Sequence, residues 1–343
     1  MRAICTVLIL IASIVTASAA DVVRVAEGPF VSAGAFFIAR DKGYFKKLGI
    51  EIETTRFEDG AMAVPSMIAG EIDISNMPAS ASLFNSVAKG APLVIILDRG
   101  NDSRERAFTS ISVTKDLADA GVRGPADFAK LKGKRIGISV VGSINQYSMA
   151  RALEQAGLDP TKDVDWVSNV SQPDLMKMLG QKQIDVAAIS YQFSMFAQNN
   201  GMGPMVATGG DIEPNAQIAT FAVHKDFLAK KRDVVVRWAM AYLEGVKDFN
   251  AAATDPKGHA TEIEILARNT ALNKPELVAA IAPHWSSISA EGTPNVDSIM
   301  AMQDFWSASR FNLVQRKVTR EQLFELTVAR DALARLKAEH PFN

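Results

Sequence analysis

The sequence predicts an α/β protein of two lobes, each a mainly parallel β-sheet flanked by helices, with a helical extension at the C-terminal end. Short β-branched strands alternate with helices of about ten residues, which is typical of parallel sheets covered on both faces. This scheme occurs twice before a mainly helical remainder, in a chain of 343 residues that is 48% apolar. That length and apolar fraction are sufficient for two hydrophobic cores and exclude a disordered chain.

Residues 1–19 are predicted to be a secretory signal peptide and not part of the fold. Arg2 gives a positive start, residues 3–15 form an apolar run, and residues 17–19 are small, as at a cleavage site. The run is too short for a membrane-spanning helix, and a buried N-terminal helix is the alternative. Because Cys5 lies inside the run and not at the cleavage site, we expect no lipid anchor.

Removal of that segment would leave a nearly neutral chain without cysteine. The 37 Lys and Arg residues would fall to 36 against 38 Asp and Glu residues, a net charge of −2. This balance argues against binding to nucleic acid or to an anionic membrane. Disulfides, thiol nucleophiles and cysteine-based zinc sites are also excluded. We therefore expect an exported, soluble protein of the periplasm.

The first unit alternates four strands with three helices. Apolar β-branched runs predict the strands, and apolar residues at helical spacing predict the helices. Gly43 and Gly49 mark the end of the first helix, and Pro65 is tolerated in the first turn of the second. In chain order the prediction is strand 22–26, helix 33–45, strand 50–55, helix 62–69, strand 72–74, helix 79–89 and strand 93–97.

The second unit repeats this order. Segments 67–74 and 179–186 each join a helix to a strand through a turn that ends in Ile-Asp, which predicts an internal duplication. Chance likeness between two α/β halves is the alternative. The predicted elements are strand 135–139, helix 143–156, strand 164–167, helix 174–179 and strand 184–189. The remainder is predicted to contain helices 234–249, 262–268, 274–282, 296–307 and 320–338.

Catalytic and metal-binding signatures are absent from the sequence. It has no G-x-S-x-G elbow, no H-E-x-x-H pair and no Walker A loop. The four histidines lie far apart along the chain, so we expect no metal site and no cofactor.

The candidate site is a set of small polar loops at the carboxyl ends of strands, where parallel sheets place their ligands. Backbone N–H groups and hydroxyls at helix N-termini suit an oxyanion. The loops are residues 28–32, 75–78, 142–146 and 190–192. The candidate ligand-binding residues in these loops and beside them are Phe30, Ser32, Asn76, Met77, Arg99, Ser143, Asn145, Gln146, Ser190 and Tyr191.

Structural alternatives exist for several of these residues. Ser143 and Gln146 have the spacing of a capping box, which needs no ligand. Ser32 could be only a helix cap, and Tyr191 could be a core aromatic.

Arg99 lies in a polar segment that follows the last strand of the first unit and fits a crossing between domains. It could pair with a ligand anion, or Asp98 or Asp102 could neutralise it.

Five stretches of the chain together resemble the periplasmic substrate-binding proteins of ABC importers, in the group for sulfonates, taurine, nitrate and thiamine-precursor pyrimidines. They span much of residues 22 to 250, all but the last of them are specific for this superfamily, and none is specific for a ligand. The stretches are residues 37–45, 48–50, 69–73, 131–137 and 221–228.

The resemblance implies a type II solute-binding fold that closes around a ligand in the cleft between its lobes. One lobe would comprise residues 20–107 plus 217–343, and the other residues 108–216. The hinge would lie at chain crossings near 98–108 and 209–217. The implied partners are a small-molecule ligand and a membrane permease with a cytoplasmic ATPase, and we expect a monomer.

The sequence therefore predicts a non-catalytic receptor for a small organic ligand with an anionic group, such as a sulfonate or an aromatic carboxylate. A neutral heterocycle such as a pyrimidine, an exported enzyme and a sensor remain as alternatives. One relative of this group is an enzyme, a pyrimidine-precursor synthase, which relies on a cysteine-rich segment and on histidine with iron; a cysteine-free mature chain would lack that segment.

Overall fold

The computed structural model describes residues 20–57, 60–308 and 310–342. The predicted signal peptide, residues 1–19, lies outside the described residues. Within them, no helix combines the length and the apolar character that a membrane span requires.

Two five-stranded sheets form the framework of the described chain. The strands are β1 (Asp21–Glu27), β2 (Ile50–Arg56), β3 (Ile74–Pro78), β4 (Leu93–Asp98), β5 (Thr109–Val113), β6 (Arg135–Gly137), β7 (Asp165–Val167), β8 (Val186–Ser190), β9 (Met205–Thr208) and β10 (Ala219–His224). The spatial order is β2-β1-β3-β10-β4 in the first sheet and β7-β6-β8-β5-β9 in the second. The first sheet thus contains β1–β4, which precede the second sheet in the chain, and β10, which follows it.

Each sheet is parallel except for one strand, and that strand holds the same position in both. β10 runs antiparallel to β3 and β4, and β5 runs antiparallel to β8 and β9. The other pairs, β1 with β2 and β3, and β6 with β7 and β8, are parallel. The predicted α/β class with two mainly parallel sheets is confirmed, whereas β5, β9 and β10 were not predicted as strands.

The two Ile-Asp turns make equivalent contacts in the two sheets. Asp73 accepts hydrogen bonds from the backbone and guanidinium of Arg24 on β1, with N–O distances of 2.9 and 2.5 Å. Asp185 accepts the same bonds from Arg135 on β6, at 2.9 and 3.1 Å. Each aspartate thereby ties the start of the third strand of its unit to the first. The repeated sequence signal corresponds to a repeated ion pair.

The helices flank the sheets and build the C-terminal extension. They are α1 (Gly34–Asp41), α2 (Tyr44–Lys47), α3 (Val64–Ile68), α4 (Ala81–Ala88), α5 (Lys115–Asp119), α6 (Ile144–Gln155), α7 (Gln172–Gly180), α8 (Tyr191–Asn199), α9 (Gly209–Ile212), α10 (Lys225–Lys230), α11 (Arg232–Thr254), α12 (Ala260–Asn269), α13 (Pro275–Ala280), α14 (Val296–Ser307), α15 (Arg320–Leu323) and α16 (Thr327–Glu339). Short 3-10 turns occupy Val31–Ala33, Gly60–Ala63, Pro125–Leu131 and Ala282–His284.

Two long helices predicted from the sequence are divided in the structure. Helix 33–45 breaks at Gly43, whose φ of +77° belongs to the left-handed region that ends helices. Helix 320–338 is interrupted where Phe324 bridges Ile95 of β4 and the Glu325 amide donates to the Ile95 carbonyl, at 2.8 Å. In both places a local backbone requirement outweighs the apolar periodicity.

Helix α11 is the main packing element of the first lobe. Trp238 and Tyr242 are fully buried, stack on each other at 5.8 Å, and contact Phe221 of β10. The helix approaches α1 so closely that a Cβ at Gly245 would lie 2.2 Å from the Ala35 carbonyl oxygen. This packing fixes β10, a strand that follows the second sheet in the chain, within the first lobe.

The chain passes between the two sheets after β4 and again after β9, and a buried carboxylate joins the two passages. Asp98 accepts hydrogen bonds from Gly100 N (2.8 Å), Asn101 Nδ2 (3.1 Å) and Ser289 N (2.6 Å). It also accepts one from Nε2 of the fully buried Gln217, at 2.7 Å. The first passage, the second passage and the C-terminal extension therefore share one polar centre.

Asp102 forms a second centre of this kind. Its carboxylate accepts hydrogen bonds from Phe108 N (2.6 Å), Thr109 N (3.2 Å) and Thr109 Oγ1 (2.5 Å). Its backbone N–H donates to the Ala216 carbonyl of the second passage, at 3.0 Å. A Cβ at Gly209 would lie 1.9 Å from Asp102 Oδ2, so the close approach of the two passages requires glycine there. Burial raises the pKa of Asp102 to about 6.

The Asp102→Asn variant should change how stability depends on pH. Because the native pKa is higher than that of the unfolded chain, the native state binds the proton more tightly and loses stability as pH rises from about 4 to about 6. We expect urea unfolding to show that the wild type loses about 2 kcal/mol more than the variant across this range. The exposed Asp119→Asn is the control, and parallel curves for wild type and Asp102→Asn would contradict the prediction.

Candidate functional site

A cavity of about 70 Å³ lies between the two lobes, at the carboxyl ends of the strands. We call it the inner cavity. It brings together Phe30, Asn76 and Arg99 from the first lobe with Ser143 and Asn145 from the second, all of them predicted site residues. The complete described lining is Phe30, Asn76, Pro78, Ser80, Ser82, Arg99, Phe108, Ser139, Val140, Val141, Ser143, Ile144, Asn145, Gln172, Ile218 and Ala219.

Strand β3 decides which residues of loop 75–78 reach the inner cavity. The strand begins at Ile74, later than predicted, and continues through the segment that was expected to be a loop. Successive side chains of a strand point to opposite faces, so Asn76 and Pro78 face the cavity. Met77 points the other way and is fully buried in the hydrophobic core of the lobe. The prediction of Met77 as a ligand-binding residue is therefore wrong.

The second lobe contributes the N-terminus of α6. Ser143 caps this helix, because its Oγ accepts a hydrogen bond from Gln146 N at 3.3 Å, and it also lines the inner cavity. Gln146 turns back to the loop, where its Oε1 accepts a hydrogen bond from Gly142 N at 2.7 Å. Gln146 is thus a structural residue of this turn and not part of the cavity wall, as the capping alternative anticipated. Asn145, the next helical residue, lines the cavity.

Two buried amide oxygens in the walls of the inner cavity, one from each lobe, have no protein partner among the described residues. The Oδ1 atoms of Asn76 and Asn145 are buried and have no hydrogen-bond partner among the described residues. Both side chains are only 4% exposed. Buried polar atoms are almost always hydrogen-bonded, so an unmatched pair on opposite walls of a cavity marks a place for a ligand. An asparagine amide offers both donors and an acceptor.

Arg99 is the ionisable side chain among the described residues that line the inner cavity. It is 4% exposed, and its Nη1 donates to Ser32 Oγ at 3.3 Å. Ser32 lies inside the 3-10 turn and makes no helix cap, so its hydroxyl belongs to the cleft. Asp98 and Asp102 direct their carboxylates to the hydrogen bonds of the two passages described above.

A second, smaller cavity of about 20 Å³ adjoins the first, and Phe108 lines both. It contains the remaining predicted residues Ser32, Ser190 and Tyr191. The Tyr191 ring stacks on His284 at 4.9 Å, and burial raises the pKa of its hydroxyl. Its described lining is Val31, Ser32, Ala107, Phe108, Ser190, Tyr191, Gln192, Ile281, His284, Trp285 and Ser286.

Sequence reasoning missed Phe108 and Gln172. Phe108 packs edge-to-face on Phe30 at 6.0 Å across the cleft, and no local pattern marks it. Gln172 opens α7, and its Oε1 accepts hydrogen bonds from the backbone and hydroxyl of Ser190, at 2.8 and 2.7 Å. The loop after β7 has the same strand-to-helix form as the four predicted loops, so the same rule would have found Gln172.

The lobes touch directly beside the inner cavity. Ala81 N donates to the Gly142 carbonyl at 3.0 Å, and Gly142 has a φ of +77°. Farther from the cavity, Tyr147 of α6 packs edge-to-face on Phe305 of α14 at 4.9 Å. The two lobes are therefore in contact. The inner cavity lies between these contacts on one side and the two chain passages on the other.

The Gly142→Ala variant should separate the lobes. A Cβ at Gly142 would lie 2.7 Å from the Ala81 Cβ, which the observed contact does not allow. Gly133→Ala is a matched control, because Gly133 has a φ of +72° with open space around it. Both variants should lose about 1–2 kcal/mol of stability from left-handed strain. Small-angle scattering should show a larger radius of gyration for Gly142→Ala alone, and identical profiles for the two variants would contradict this.

Comparison with curated proteins finds remote relatives described as binding proteins. The "Putative binding protein YtlA" of Bacillus subtilis is 23% identical over 206 residues, which cover 60% of this chain and 59% of that protein. A Brucella abortus protein of similar description is 25% identical over 217 residues, 63% of this chain and 62% of that protein. The chain therefore spans about three fifths of the length of these curated relatives.

Solved structures share the fold at low sequence identity. The periplasmic nitrate-binding protein NrtA of Synechocystis superposes with a TM-score of 0.75 at 13% identity, covering 94% of this chain and 90% of that one. The aliphatic sulphonate-binding protein SsuA of Escherichia coli gives 0.69 at 20% identity, with 89% and 92% covered. The desulfurization enzyme DSZB, at 0.62 and 14% identity with 92% and 99% covered, shows that an enzyme also uses this architecture.

These likenesses establish the two-lobed type II periplasmic binding protein fold that the sequence predicted. The profile of the NMT1-like family matches residues 17–265, which is most of the chain. The protein belongs to the NMT1-like family.

Proposed function

We propose that the protein is the periplasmic solute receptor of an ABC-type importer and binds a small organic anion between its lobes. The observation that carries the receptor proposal is the pair of buried Oδ1 atoms of Asn76 and Asn145, one from each lobe, which have no partner among the described residues and lie in the walls of one cavity. The anionic character of the ligand rests on Arg99, the ionisable side chain among the described residues of that lining. A site of this kind is complete only when both lobes contact the ligand. The binding-protein descriptions of the relatives support the same function.

The inner cavity offers hydrogen-bond donors and a positive charge, which can replace the hydration of an acidic group. Burying an anion is costly unless hydrogen bonds or a positive charge replace its hydration. Arg99 supplies a guanidinium, and the amides of Asn76 and Asn145 and the Ser143 hydroxyl supply neutral donors. Phe30 and Phe108 would cover the less polar part of the ligand.

We propose that ligand binding and lobe closure are one event. The lobes would be residues 20–107 with 217–343 and residues 108–216, hinged at the two passages. A ligand that touches both walls binds the closed form better than the open form, and this difference shifts the population toward closure. The closed form would then be presented to a membrane permease driven by an ATPase. One copy of the chain contains both walls, so we propose that a monomer is sufficient.

A neutral heterocycle is the second candidate ligand. The amides of Asn76 and Asn145 can pair with the donor and acceptor edges of a pyrimidine, and Phe30 and Phe108 can pack against its ring. We propose no catalytic step in either case, since the described lining of the inner cavity places no Asp, Glu, His or Lys beside the Ser143 hydroxyl as a general base.

A thermal-shift screen of the refolded, ligand-stripped protein tests the receptor function. The panel is methanesulfonate, benzoate, nitrate, bicarbonate, a pyrimidine and amino acids. A true ligand at 100 times its Kd adds about 2.7 kcal/mol of stability and raises Tm by several degrees. A hit among the anions supports the first candidate, and a hit for the pyrimidine alone supports the second.

The Asn76→Ala and Asn145→Ala variants test the site with whichever compound binds. Each should weaken the Kd by about tenfold or more, because one hydrogen bond to the ligand is lost. The exposed Asn199→Ala is the matched control and should bind like the wild type. Unchanged affinity in folded Asn76→Ala and Asn145→Ala proteins would place the ligand elsewhere.

A further inference from the structure

An outer groove of about 630 Å³, open to solvent, lies beside the inner cavity. Phe30, Ser139, Val140 and Gln172 line both spaces, so the groove and the inner cavity are directly adjacent. The two differ about ninefold in volume. The inner cavity has room for a small polar group only, whereas the groove has the size of a typical ligand pocket.

Apolar side chains line the groove on both lobes, and the second lobe adds the uncharged polar residues Ser139, Asn169, Ser171 and Gln172. Pro29, Met62 and Ala271 line it from the first lobe, and Val140, Val170 and Phe193 line it from the second. None of its described lining residues is ionisable. Met62 is 60% exposed and Val140 is 41% exposed, so these large side chains meet water directly. An apolar surface of this kind next to a polar pocket gains stability when an apolar group covers it.

We infer that the outer groove holds an apolar portion, alkyl or aryl, of the same ligand whose polar head occupies the inner cavity. This inference rests on the receptor function proposed above. The adjacency of the two spaces identifies the occupant, because Phe30 and Val140 border both, and a molecule whose head is fixed in the inner cavity extends past these side chains into the groove. Inorganic oxyanions such as nitrate and bicarbonate would leave the groove empty and bind weakly.

Calorimetric titration with n-alkanesulfonates from methane- to octanesulfonate tests the inference, with nitrate and bicarbonate alongside. Each methylene buried in the groove should lower the Kd by about twofold to fourfold. A Kd that does not change with chain length overturns the groove assignment while leaving the receptor function in place. If no sulfonate binds at all, the anionic head proposed above is wrong, and the inference fails with it.

Paired serine variants locate the effect in the groove. Met62→Ser is matched by Ile68→Ser, a nearby side chain that is 52% exposed and outside the groove. Val140→Ser is matched by Val22→Ser, where the valine is 43% exposed. We expect the two groove variants to lose about half of the gain in affinity per methylene, and the two controls to keep it. Equal slopes in all four variants would overturn the assignment.

Discussion

Hydrogen bonds of two buried aspartates, Asp98 and Asp102, keep the two chain passages together and so fix how the two lobes are placed relative to each other. Both lie in or next to the first passage between the sheets. The Asp98 carboxylate contacts the second passage through Gln217, and the backbone N–H of Asp102 contacts it through the Ala216 carbonyl. A buried charge is costly unless every lone pair finds a donor, and here backbone amides, a threonine hydroxyl and side-chain amides supply the donors. Burial nevertheless raises the pKa of both groups. The passages therefore stay side by side, and the carboxyl ends of both sheets face the same cleft.

The binding site follows from that arrangement and from two local rules. Strand alternation sends Asn76 into the cleft from β3, and the capped start of α6 sends Asn145 into it from the other side. Their unmatched oxygens reduce the stability of the ligand-free protein, whereas nearby polar groups such as Gln146 are satisfied within the chain. A local loss of hydrogen bonding on both walls of a cleft is typical of a functional site.

Much of this organisation could be predicted from the sequence, and the failures have physical causes. The alternating pattern predicted the parallel strands because their apolar runs are continuous. β5 and β10 were missed because they pair antiparallel with strands far away in the chain, a choice that local pattern does not encode. The prediction of Asn76 as a cavity residue and the error on Met77 have one cause. Strand β3 starts later than expected and includes both residues, so their side chains point to opposite faces of the sheet. Phe108 depends on the tertiary meeting of the lobes, and no local pattern marks it.

The contacts between the lobes also reduce the binding free energy that a ligand must supply to close them. Tyr147 and Phe305 pack together, Ala81 bonds to Gly142, and Arg310 pairs with Glu154 at the edge of the same surface. The arginine side chain is 42% exposed, so its ion pair contributes little, and the apolar contact carries most of the attraction. The lobes thus have an affinity for each other before any ligand arrives. A ligand then shifts the equilibrium only by its differential contacts with the two walls, the polar head through Asn76 and Asn145 and the apolar portion through the outer groove.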